Sequence, residues 1–120
     1  MTEIVLILDR TVDAPSAARE FVRSLAFERG EDATLLVSEL VTNAVKYGPV
    51  DGEIRLIVDH DATRTRFTVH DLGAGPLPEM RPADRTLLPG GGHGLRLVDT
   101  VSDRWGVERG STRVWFELDA

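Results

Sequence analysis

The hydrophobic patterning of the chain predicts an α+β fold of two layers, a mainly antiparallel sheet with helices on one face. Three observations lead there. Glu53–Asp59 and Thr65–Asp71 both alternate apolar and polar residues around a polar turn at His60–Arg64, the pattern of a β-hairpin. Arg104–Arg109 and Thr112–Leu118 form a second such pair across Gly110-Ser111. Between the first strand and the first hairpin the apolar residues recur at helical spacing.

The elements follow in order. Ile4-Val5-Leu6-Ile7-Leu8 is too short for a signal-peptide core or a membrane span and reads as a strand. Asp13 and Pro15 open a helix running to about Arg29, with Gly30 closing it. Glu31 and Asp32 stand where a second helix begins, favourable for its positive end, and Gly48-Pro49 stops it. After the first hairpin comes a Gly- and Pro-rich loop from Leu72 to Gly92, then a short helix over Gly94–Asp103, then the closing hairpin.

The chain has 120 residues, the size of one domain with a single core, spanning 1–120. Its net charge of −6, without a Lys/Arg run, argues against direct contact with nucleic acid. It has no Cys, which removes disulfides and thiol chemistry and suits a cytoplasmic location. No membrane partner is expected. His60, His70 and His93 show no ligand spacing to one another, so no structural metal is expected. Trp105 and Trp115 read as strand packing rather than a stacking platform.

Three places in the chain carry chemistry. In the second helix Ala33, Leu36, Val37, Leu40, Val41 and Ala44 share one arc, and Ser38, Glu39, Thr42, Asn43 and Lys46 share the other. Glu39 and Asn43 are one turn apart, with Lys46 next on that face. A carboxylate can accept a proton, an amide oxygen can ligate a hard cation and an ammonium can meet a phosphate. A plain solvated helix face would show the same spacing. The strand Thr65–Asp71 supplies the second place. Phe67, Val69 and Asp71 lie on one face, so a buried face ends in a carboxylate that needs N–H donors from the protein or from a ligand. Gly73 and Gly75 then allow a ligand close to the backbone. The bland reading is a strand-to-loop turn. The third place is Gly90-Gly91-Gly92-His93-Gly94-Leu95, glycines running into a helix start, where backbone N–H groups and the helix dipole favour an anion. It is neither a P-loop nor a dinucleotide fingerprint, and a flexible linker would look similar.

In their order and content these segments resemble the GHKL (Bergerat-fold) ATP-binding superfamily, and within it the anti-sigma-factor serine kinases. Ser38-Glu39-Leu40-Val41-Thr42-Asn43-Ala44 resembles the family's N box. Asp71-Leu72-Gly73-Ala74-Gly75 and Gly92-His93-Gly94-Leu95-Arg96-Leu97-Val98 resemble its two glycine boxes. Asp103-Arg104-Trp105-Gly106-Val107 and Val114-Trp115-Phe116-Glu117-Leu118 resemble the closing strands of actinobacterial-type members, so the likeness covers nearly the whole chain.

The resemblance implies a cofactor pair of ATP and Mg²⁺. Asn43 would ligate the metal and Lys46 would sit near phosphate. Asp71 would accept the adenine amino N–H, directly or through water. Gly73 and Gly75 would let the loop close, while Gly92 and Gly94, with a helix start at Leu95, would cradle phosphates. Glu39 would be the general base toward a protein serine hydroxyl or water. Pro76 to Pro89 would be a lid, with Arg81 and Arg85 more simply read as solvated. The implied activity is a serine/threonine protein kinase and anti-sigma factor, with an anti-sigma antagonist protein and a sigma factor as partners; self-association into a homodimer stays open. Two features depart from the family. Arg113 stands where members commonly carry a Thr near phosphate, with Thr112 one residue off, which weighs toward a non-catalytic nucleotide-gated binding module. Asn43-Ala44-Val45-Lys46-Tyr47 looks more like a histidine kinase N box, so a stand-alone sensor-kinase-type ATPase domain is the other alternative, although Glu39 occupies a place usually held there by Asn.

Overall fold

The computed structural model describes residues 2–47, 52–71, 91–108 and 113–120, with side chains at 47 and 91–95 excepted. Its strands are β1 (Thr2–Asp9), β2 (Glu53–His60), β3 (Arg64–Asp71), β4 (Arg104–Val107) and β5 (Arg113–Asp119), and its helices α1 (Ala14–Ser24), α2 (Gly30–Tyr47) and α3 (Gly91–Val101). The strands form one five-stranded sheet in the order β1-β2-β3-β5-β4, with every described pairing antiparallel. This is the expected two-layer α+β sandwich. The order departs from chain sequence in one respect: β5 sits between β3 and β4.

Strand alternation sorts the sheet into two faces. On the inner face Ile4, Val58, Phe67, Phe116 and Trp105 stand side by side across all five strands, and Leu6, Leu56, Val69 and Val114 make the next row. Phe67 and Phe116 stack with centroids 5.0 Å apart. The helices close this face. Ala33, Leu36, Val37, Leu40 and Val41 of α2 are buried, as the wheel required, together with Ala14, Ala18 and Val22 of α1 and Val98 of α3. Burying each Leu, Val or Phe side chain contributes about 1.5–3 kcal/mol, and this stripe accounts for the helical layer.

The outer face is polar apart from Val5, Ile7, Ile57 and Trp115. Its centre is Glu117, only 4% exposed, which accepts hydrogen bonds from Arg66 Nε (2.9 Å) and Arg104 Nε (2.8 Å). The Arg66 guanidinium also lies 4.1 Å from the Trp115 ring centroid. Burial pushes the Glu117 carboxyl up, but the bonds from Arg104 and Arg66 outweigh it and hold the carboxyl below its ordinary value.

Several boundaries differ from the sequence reading. The first helix stops at Ser24, five residues before Arg29, because the chain reverses through Ala26 at φ 54°. The Leu25 and Ala26 N–H groups donate to the carbonyls of Val22 and Arg23. Gly30 therefore does not close α1; it is the first residue of α2. Asp13 holds the N-cap position of α1, but its side chain makes no capping bond there. The third helix starts at Gly91 rather than Gly94 and ends at Val101, where Arg29 Nη2 donates to the Val101 carbonyl at 3.1 Å. The β4 strand is also shorter than expected, ending at Val107.

Candidate functional site

The register puts the ends of three strands in one row: Leu8, Ile54 and Asp71 are neighbours on the inner face. Asp71 is 7% exposed, so the buried face of β3 does end in a carboxylate. Its donor comes from the protein. Arg10 continues the inward alternation Ile4, Leu6, Leu8, and its Nη2 donates to Asp71 Oδ1 in a buried ion pair. Its Nη1 donates to the carbonyl of Ala44 at 2.6 Å. Sequence reasoning missed Arg10, which looked like loop after a strand. The signal was present: the inward stripe of β1 ends in a cation, as that of β3 ends in an anion.

The same guanidinium brings the other candidate residues into the picture. Ala44 follows Asn43 on α2, so the last turns of α2 and the end of β3 meet at Arg10. Glu39 and Asn43 are half-buried and Lys46 is exposed, all on the α2 face opposite the core stripe. Ser38, on that same polar arc, accepts from Arg19 Nη1 at 2.8 Å. The α3 helix packs beside α2, so the glycine-led start of α3 belongs to the same layer. With α3 beginning at Gly91, Gly92, Gly94 and Leu95 fall inside its first turns rather than before a start at Leu95. The first four N–H groups of a helix have no partner within it, and Gly92 and Gly94 fall among the first four residues counted from Gly91. Gly73, Gly75, the lid from Pro76 to Pro89 with Arg81 and Arg85, and Thr112 lie outside the described residues.

Arg113 is placed away from these groups. It shares the outer face with Trp115 and Glu117, pairs in register with His70, and approaches Glu108 Oε2 at 3.7 Å. The guanidinium that replaces the family's Thr is thus on the far side of the sheet from Asp71. Burial, then Arg113 and Arg55, lower the His70 pKa from its ordinary 6.5.

The donor set fits a magnesium nucleotide. Mg²⁺ takes one or two protein oxygens and completes its shell with phosphate and water. A half-buried asparagine amide beside a carboxylate meets that need. Among the described residues no group of three or more His, Cys, Asp or Glu could hold a metal by itself.

The sequence matches the histidine kinase-like ATPase domain family over residues 8–118. The chain belongs to that family. No curated protein matches it. Among solved structures, it is similar to the RsbU and RsbW domains of Rv1364c from Mycobacterium tuberculosis, at 19% identity and TM-score 0.67. That likeness covers 99% of this chain and 31% of the other, so the chain spans about a third of its length. At this identity the likeness supports the fold, a GHKL-type sandwich.

Proposed function

We propose that the chain binds ATP with Mg²⁺ and acts as a serine/threonine protein kinase and anti-sigma factor. Its substrate would be a small antagonist protein, and its second partner a sigma factor. The observation that carries this is the Arg10 guanidinium holding both the buried Asp71 of β3 and the Ala44 carbonyl of α2, one residue past Asn43, in a chain of the histidine kinase-like ATPase family. In this reading Asp71 accepts from the adenine amino group. Asn43 holds the metal through its amide oxygen, and Lys46 and the amides at the start of α3 face the phosphates. Glu39 takes the proton of the attacking serine or threonine hydroxyl. Bound Mg²⁺ would supply charge neutralisation between the phosphate oxygens. Glu39 is half-buried rather than enclosed, so a partner's hydroxyl can reach it.

Arg113 lies on the outer face and so puts no guanidinium beside the buried Asp71, while the loss of the family's Thr still weighs toward the gated binding module. The added phosphate carries about −1.5 to −2 charges, and against a domain of net charge −6 it would weaken the complex and release the substrate. The test is transfer of label from γ-labelled ATP to candidate antagonists, read together with a pull-down. Labelled antagonist that no longer binds is the expected result. Tight ATP-dependent binding with no label transferred from an active preparation would replace the kinase with the binding module.

A further inference from the structure

We infer that Arg10 is the positioning residue for the carboxylate that meets the nucleotide base, and that it ties this carboxylate to the metal-bearing end of α2. The inference deepens the ATP reading above and rests on it.

The Arg10 side chain is 5% exposed. A guanidinium stays charged in any protein environment, so burying one is costly unless its N–H groups are met. Two segments far apart in sequence meet this one. Asp71 supplies a charge, and Ala44 supplies a carbonyl 2.6 Å away. Ala44 stands near the carboxyl end of the described part of α2, where a cation suits the negative end of a helix. Arg10 thus holds the helix that carries Glu39 and Asn43, and is at the same time the counterion of Asp71.

A cation beside a base-binding carboxylate can act in two ways, competing with the base or preparing the carboxylate for it. The second anchor decides between them. The amino group of an incoming adenine is a neutral donor and a weaker partner for the Ala44 carbonyl than the charged guanidinium already on it, so Arg10 stays in place. A planar fork held at both ends fixes the orientation of the carboxylate. A carboxylate has about four acceptor sites, so contacts from a guanidinium and from an amine are compatible. Arg10 then keeps Asp71 aimed, and sets its distance from the Asn43 turn.

The experiment compares wild type, Arg10→Gln and Arg10→Lys by calorimetry with ATP·Mg²⁺ and with purine riboside triphosphate·Mg²⁺, which lacks the amino group. Unfolding curves are recorded alongside. Wild type should prefer ATP. Arg10→Gln should lose about tenfold or more of its ATP affinity, the worth of a charge-assisted hydrogen bond, and change by less than about threefold toward the analogue. Arg10→Lys, charged but without the fork, should recover only part of the preference, and it carries the test alone if the Gln variant does not fold. Equal losses toward both nucleotides would reduce Arg10 to general packing and overturn the inference. An ATP affinity that rises would make Arg10 a competitor and overturn it as well. A wild type that binds neither nucleotide, or both equally, fails the adenine reading and takes this inference with it. A nucleotide-free double-mutant cycle of Arg10→Gln with Asp71→Asn separates the two failures, because coupling there beside flat titrations means a purely structural pair.

Discussion

A glutamine at position 39 keeps the shape of Glu39 and loses its capacity to take a proton. Glu39→Gln should therefore leave ATP affinity within about threefold while lowering phosphoryl transfer by about 10²–10⁴-fold, measured by calorimetry and label transfer. Transfer at the wild-type rate would assign the base elsewhere. At Asp71 the same kind of substitution has a second effect. Removing one charge of a buried pair leaves the other unmatched and costs about 3–5 kcal/mol, so Asp71→Asn needs an unfolding curve beside any binding measurement. Residue-level placement was legible wherever a period fixed it. The wheel of α2 put Glu39 and Asn43 opposite the core, and alternation put Asp71 at the end of the Phe67/Val69 face. Arg10 escaped because the apolar run ends at Leu8, and the alternation continues beyond it through a residue whose burial depends on Asp71, sixty-one positions away.

Elements were legible by type and less so at their ends. Nothing in Leu25-Ala26-Phe27 signals a stop, since the residue that adopts the left-handed turn is alanine rather than glycine. A left-handed backbone costs a side-chain-bearing residue about 1–2 kcal/mol, and glycine loses part of that gain through its freer unfolded state. Ala26→Gly should then raise stability by about 0.5–1 kcal/mol, read as a higher urea midpoint at unchanged slope. A lower midpoint would mean that the turn is not strained. The β2–β3 turn was legible as a polar gap, but not the geometry that makes it firm. Asp61 accepts from the Thr63 N–H (2.8 Å), the Thr63 hydroxyl (2.8 Å) and the Arg64 N–H (3.1 Å), and these bonds lower its pKa from 3.8 to about 2. A carboxyl with a depressed folded pKa contributes stability above its unfolded value, and that contribution is lost as pH falls through the folded one. Asp61→Asn should flatten the fall in urea midpoint between about pH 4 and pH 2.

For the molecule as a whole, the strand order was beyond the sequence, because hairpin signals are local and do not reveal that β5 docks against β3. That docking builds the outer face around Glu117 and its arginines. Glu117 also titrates below its ordinary 4.5, so its contribution too disappears on acidification. His70 acts in the same direction. Its folded pKa lies below 6.5, so the stability it contributes when neutral is lost as pH falls from 6.5 through the folded value. Unfolding midpoints should therefore decline from about pH 6.5 downward, and a curve flat to pH 3 would contradict both assignments. In the proposed reading a nucleotide joins the helix layer to the end of the central strand β3. ATP·Mg²⁺ at 100 times its dissociation constant should then stabilise the fold by about 2.7 kcal/mol, with EDTA removing most of the gain. An unchanged melting temperature at saturating ATP·Mg²⁺ would argue against binding.

About 44 residues, carrying α1 and α2, separate Asp9 of β1 from Glu53 of β2, its described partner strand. On a ribosome adding about 5–20 residues per second, that interval is roughly 2–9 s, with further delay before Asp71 is made. The β1 strand thus waits for its described partner strand while α1 and α2 are made. Nascent chains arrested before residue 53 should be cut by a nonspecific protease within Ile4–Leu8, and chains long enough to expose β3 should resist. The position of Arg10 sets an order of events: the tie between the end of β1 and α2 gains its counterion only when the carboxylate of β3 arrives.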